Sequence, residues 1–101
     1  MNNPIDQGPI HSLYVGSRDG TAFSEIDRQS VTDTVTSMFD SFTAFDAEGC
    51  FQGKHVATII IKIATDNGRK IDELARHLGR DLNQQYVGLE KEGHYRSIPM
   101  D

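Results

Sequence analysis

Tryptophan is absent from the 101 residues, and cysteine occurs once, at Cys50. With a single thiol no intrachain disulfide can form, which excludes the disulfide-stapled secreted scaffolds and makes a cytoplasmic, reducing setting the expectation. Long apolar runs are missing as well. The longest, Ile59-Ile60-Ile61, is far short of the ~20 residues a membrane-spanning helix needs. Residues 1–9 show neither the basic start nor the apolar stretch of a signal peptide. Bases are outnumbered, with 10 Lys and Arg against 15 Asp and Glu and a formal net charge of -5. They form no patch, which argues against a protein whose task is to neutralise phosphate backbones. The nine glycines never assemble into G-x-G-x-x-G or G-x-x-x-x-G-K-[ST], so no phosphate-cradling loop is indicated. Neither a nucleic acid nor a membrane is an expected partner.

What remains is one soluble domain, the count expected at this length. Residues 1–9 hold two prolines, a glycine and one isolated apolar residue, Ile5, and read as a flexible arm; residues 10–101 read as a single α+β domain. Leu13 and Val15 alternate with Tyr14 in a first strand that stops at Ser17-Arg-Asp-Gly20. Ser24 with Asp27 resembles a capping box, and Val31, Val35, Met38 and Phe39 fall at helical spacing, predicting a helix over 24–40. Phe42 to Phe45 reads as a short strand, Asp46-Ala-Glu-Gly49 as a turn, and residues 50–54 as a short return. The strongest strand pattern covers His55 to Thr65, with Ile59, Ile61 and Ile63 on one face and Thr58, Ile60 and Lys62 on the other. Ile71, Leu74, Ala75, Leu78 and Leu82 predict a second helix over 68–84, within which Gly79 suggests close packing against a strand. The tail, residues 85–98, reads as one bent strand or a hairpin. The order predicts a ferredoxin-like β-α-β-β-α-β sandwich: an antiparallel sheet with two helices on one face and a possible extra C-terminal strand.

Chemistry is harder to locate. Four histidines, His11, His55, His77 and His94, stand at none of the zinc-binding spacings, so no metal and no cofactor are implied. His11 and His55 open strands that would be neighbours, which makes a shared edge the place where they could meet. Cys50, beside Phe51, has only Lys54-His55 nearby to activate it and reads as a small hydrophobe rather than a nucleophile. Asp40, Asp46 and Glu48 flank expected turns, where such residues cap backbone. No catalytic residue is assigned. The sheet order is also that of RNA-reading domains, but the third strand lacks aromatics and Tyr14 is the one candidate stacker in the centre. In a two-layer sandwich Val56, Thr58, Ile60 and Lys62 would face away from the helices, and an open face this apolar marks an interface or a ligand site.

Leu13-Tyr-Val-Gly16, Asp19-Gly20, Ser24-Glu25, Phe39, Phe42-Thr43 and Asp46-Ala-Glu-Gly49 with Phe51 resemble a family of small bacterial and phage proteins of unknown function. Its pattern runs L-Y-x-G and then G-F-T-x-x-D-A-x-G-x-W. Ser41 replaces its glycine and Phe51 its tryptophan, and the likeness covers residues 13–51. It implies a bacterial or phage source and carries no activity with it. The leading expectation is a non-enzymatic module that self-associates as a dimer through Val56, Thr58, Ile60 and Lys62. The alternative is a small-molecule-binding or enzymatic dimer with a cavity between sheet and helices, Tyr14, His11, His55 and Asp46 being the polar groups at its mouth.

Overall fold

The computed structural model describes residues 8–100, so residues 1–7 of the arm expected over 1–9 lie outside the described part, while at its other end the Pro9 carbonyl accepts the Thr65 N–H at 3.1 Å. Five strands and two helices follow in the order β1 (Ile10–Gly16), α1 (Glu25–Met38), β2 (Thr43–Phe51), β3 (Lys54–Ala64), α2 (Gly68–Asp81), β4 (Tyr86–Lys91) and β5 (His94–Pro99). They form one antiparallel sheet ordered β2-β3-β1-β4-β5. This is the ferredoxin-like sandwich the element order predicts, with β5 added at one edge.

Each helix begins at a side-chain cap. Ser24 accepts the Asp27 N–H at 3.0 Å and Asn67 accepts the Lys70 N–H at 3.0 Å, satisfying donors that a helix's first turn leaves free. Both helices end short of the expected bounds, at Met38 and Asp81. Phe39 is nonetheless buried beside Val31 and Val35, so the apolar stripe of α1 outlasts its helical backbone. From α2, Leu74 and Leu78 are fully buried against Leu13, Val15 and Ile61 of the sheet. Leu13, Ile61, Leu74 and Leu78 each expose 0% of their surface, so the centre of the sheet–helix interface is filled where a cavity was expected. Gly79 is close-packed as foreseen, but against the side chain of Met100 rather than a strand.

The stretch 42–54 differs from its sequence reading. Asp46 to Gly49 lie inside one nine-residue strand, and the reversal falls at Gln52-Gly53, with φ of 52° and 79°. Two consecutive positive φ angles define the turn whose twist matches a hairpin, and glycine takes such an angle without a Cβ penalty. Glu92-Gly93, with φ of 52° and 81°, makes the same turn between β4 and β5, so the tail is a hairpin. β2 tolerates Asp46, Glu48 and Gly49 because it is an edge strand with one hydrogen-bonded neighbour.

Candidate functional site

Alternation in the strands sends His11, Leu13 and Val15 toward the helices and Ser12, Tyr14 and Gly16 to the free face. Register aligns the free-face side chains in rows. Tyr14 stands opposite Ile60 on one side and Gly88 on the other, and Ile60 opposite Phe45. One pleat along, Lys62, Ser12, Glu90 and Tyr95 form a second row across β3, β1, β4 and β5. Gly88 has no Cβ because the Tyr95 ring lies in that space. Tyr95 thereby reaches Tyr14 in an edge-to-face contact, with ring centroids 5.9 Å apart and planes at 66°. The Tyr14 hydroxyl donates to Glu90 Oε1 at 2.6 Å. That bond, followed by burial, holds the Tyr14 phenol above its ordinary value of 10.0.

A groove of about 720 Å³ runs over this face. Val56, Ile60 and Tyr14 line it from β3 and β1, Phe51 from β2, and Tyr86 and Tyr95 from the C-terminal hairpin. Tyr86, Phe51 and Tyr95 remain 52%, 59% and 63% exposed, so the lining is aromatic and accessible. At the groove's other end the Gln84 amide donates to the carbonyls of Ser17 at 2.8 Å and Leu82 at 3.1 Å, tying two loops together. Such a surface can stack a flat heterocycle, and a carboxylate beside aromatic rings suits a cationic ligand.

The four polar residues expected at a cavity mouth are not brought together. Tyr14 lines the groove. His11 is buried on the helix side, its Nε2 donating to the Thr65 carbonyl at 3.1 Å. It lines a separate cleft of about 470 Å³ between the start of α2 and the β4–β5 hairpin, where Arg96 pairs with Asp72 at 2.5 Å. His55 sits near the β2–β3 turn, its Nδ1 3.2 Å from Glu48 in an exposed pair. Because β1 and β3 run antiparallel, His11 is opposite Ile63 rather than His55, and the two histidines lie at opposite ends of the sheet. Asp46 points to the helix side and accepts from Arg28 at 2.8 Å. Val56, Thr58, Ile60 and Lys62 do share the free face. Phe51, Tyr86, Glu90 and Tyr95 were not singled out in the sequence. The strand or hairpin expected over residues 85–98 already carries three of them: Tyr86, Gly88 and Glu90 alternate to one face, and in the hairpin Tyr95 opposes Glu90. Among the described residues no group of three or more His, Cys, Asp or Glu side chains gathers as metal donors, and no helix is long and apolar enough to cross a membrane.

The molecule thus belongs to the ferredoxin-like α+β domains, with an aromatic groove on the sheet face its helices leave free. Two solved structures resemble it over nearly their whole length. A phage SAM lyase in the apo state superposes with a TM-score of 0.70 at 18% identity, covering 100% of this chain and 96% of that one. A phage SAM lyase in complex with S-methyl-5′-thioadenosine gives 0.61 at 19%, covering 98% and 95%. No family model and no curated protein matches the chain. Both neighbours are lyases, and this corrects the leading expectation of a non-enzymatic interaction module.

Proposed function

We propose that the protein is an enzyme that cleaves S-adenosylmethionine to S-methyl-5′-thioadenosine in the groove on the free sheet face. The observation that carries this reading is an aromatic groove in which Tyr14 is held by its bond to Glu90, on a fold that matches those lyases end to end. S-methyl-5′-thioadenosine is S-adenosylmethionine without its four-carbon amino acid chain. The bond from sulfur to the fragment's γ-carbon breaks with both electrons passing to sulfur while an oxygen of the substrate's own α-carboxylate bonds to that carbon and closes a lactone, so a sulfonium becomes a neutral thioether and neither water nor a redox partner is required. Tyr86, Phe51 and Tyr95 supply faces for the adenine, and the Glu90 carboxylate attracts the positive charge of the substrate. Holding one conformer of a flexible substrate away from water is itself a large part of what such a site contributes.

The same face is the proposed contact with a second copy of the chain. Phe45, Phe51, Tyr86 and Tyr95 are each more than 40% exposed there, and a homodimer using Val56, Thr58, Ile60 and Lys62 would cover them and roof the groove. A phage source and a cytoplasmic site of action, where the substrate is made, accord with this reading.

The test is incubation of the purified protein with S-adenosylmethionine, with the nucleoside product followed by liquid chromatography and the amino acid fragment by mass spectrometry. Accumulation of S-methyl-5′-thioadenosine well above the spontaneous rate is expected. A rate equal to that of buffer, together with no calorimetric binding of either nucleoside, would overturn the proposal.

A further inference from the structure

Lys62 and Glu90 carry opposite charges on the same sheet face and in the same row, yet they do not pair. Ser12 stands between them, opposite Lys62 on one side and Glu90 on the other, so two strand spacings of roughly 4.8 Å separate their backbones. None of the ion pairs among the described residues uses either one. Their hydrogen bonds leave each with capacity to spare. Lys62 Nζ donates one proton to Ser12 Oγ at 2.9 Å and keeps two; Ser12, only 3% exposed, keeps its own hydroxyl proton as a donor. Glu90 accepts from Tyr14 on Oε1, and its Oε2 has no hydrogen-bond partner among the described residues.

Two anion-seeking donors and one cation-seeking oxygen, about a side chain's length apart, fit a zwitterion. We infer that this row binds the amino acid end of the substrate, Lys62 and Ser12 holding the α-carboxylate and Glu90 the α-ammonium. The inference rests on the proposed cleavage of S-adenosylmethionine and adds what the groove alone does not specify: that both charged groups of the amino acid are read. The placement follows from the pleat. Ile60 and Tyr14, which line the groove, lie two residues from Lys62 and Ser12 on the same face, roughly 6.6 Å along the strands. An adenosyl group over the aromatic part of the groove would extend its short carbon chain toward this row. Binding both ends of the chain would also fix the torsions about the bond that breaks.

Calorimetric titration of the wild-type, Lys62→Met and Glu90→Gln proteins with S-adenosylmethionine and with S-methyl-5′-thioadenosine tests this. Lys62 is exposed, and in Glu90→Gln the new amide oxygen can still accept from Tyr14, so both variants should fold, with circular dichroism as the check. Each should bind S-adenosylmethionine roughly 10- to 100-fold more weakly, the loss expected for one charge-assisted contact, and bind S-methyl-5′-thioadenosine as the wild type does. Unchanged affinity for S-adenosylmethionine, or an equal loss for both ligands, would overturn the row's assignment while leaving the groove's in place. Failure of the wild type to bind either ligand would instead remove the proposed function on which the inference rests.

Discussion

Replacing Tyr14 with Phe removes one hydroxyl group and little else. The ring, its edge-to-face contact with Tyr95 and its place opposite Ile60 all remain. What is lost is the 2.6 Å bond to Glu90. A hydrogen bond to a charged partner contributes roughly 1.5 to 3 kcal/mol when its loss leaves that charge unsatisfied. Tyr14 and Glu90 are only half-buried, so water can replace the phenol, and the expected cost is about 1 kcal/mol. In a domain of this size that lowers Tm by roughly 4 to 8 °C. The effect should also depend on pH. The folded protein holds the Tyr14 proton more tightly than the unfolded chain does, because the bond to Glu90 and then burial raise its pKa above 10.0. Its contribution is therefore full below about pH 10 and is lost as pH climbs through the folded value. Urea unfolding followed by circular dichroism, from neutral to strongly alkaline pH, should show the wild type and Tyr14→Phe converging above about pH 10. The difference in their tyrosinate absorbance should contain a step that titrates above the ordinary phenol. Equal stability at neutral pH, or a constant gap across the whole range, would refute the reasoning.

Leu78→Ala deletes a fully buried side chain of α2 and should cost roughly 2 to 5 kcal/mol in urea unfolding; a loss under about 1 kcal/mol would contradict its place in the core. Ile60→Lys should leave the circular dichroism of the fold intact while reducing the mass seen by light scattering to that of one 11.3 kDa chain. Collapse of the folded signal would mean Ile60 belongs to the core instead. At Gly79, alanine improves helix propensity by up to about 1 kcal/mol but drives a methyl group into the Met100 side chain, so the two effects should nearly cancel. In a Met100→Ala background the same substitution should stabilise by about 1 kcal/mol, and equal effects in both backgrounds would show that the contact is immaterial.

The helices and the central strand were legible because burial imposes a period on their sequences. Leu74 and Leu78, and likewise Ile59 and Ile61, must all face the same core. β2 was misdivided because nothing buries it: Asp46, Glu48 and Gly49 look like a turn, yet an edge strand accepts them, while the true turn at Gln52-Gly53 is set by backbone angles that Gln52 does not advertise. Choosing site residues by type drew attention to His11, His55 and Asp46, but strand direction decides which residues meet, and antiparallel pairing parted them. Glu90 and Tyr95 join Tyr14 only through long-range pairing of β1 with β4 and of β4 with β5, a contact that no local spacing records.

β3 outruns its inner neighbour. Its pairing with β1 ends at Thr58, the 17–20 loop makes two more backbone bonds to it at Ala57, and beyond that residues 54–56 are paired only with residues 49–51. A two-stranded ribbon without a third strand or a buried face is marginal, so this tip can open without disturbing the core. Because Phe51 at the tip lines the groove, the ribbon's own ladder sets how freely a ligand enters the groove and how long it stays. Under the proposed function, substitutions there alter turnover in a domain whose melting temperature stays where it was.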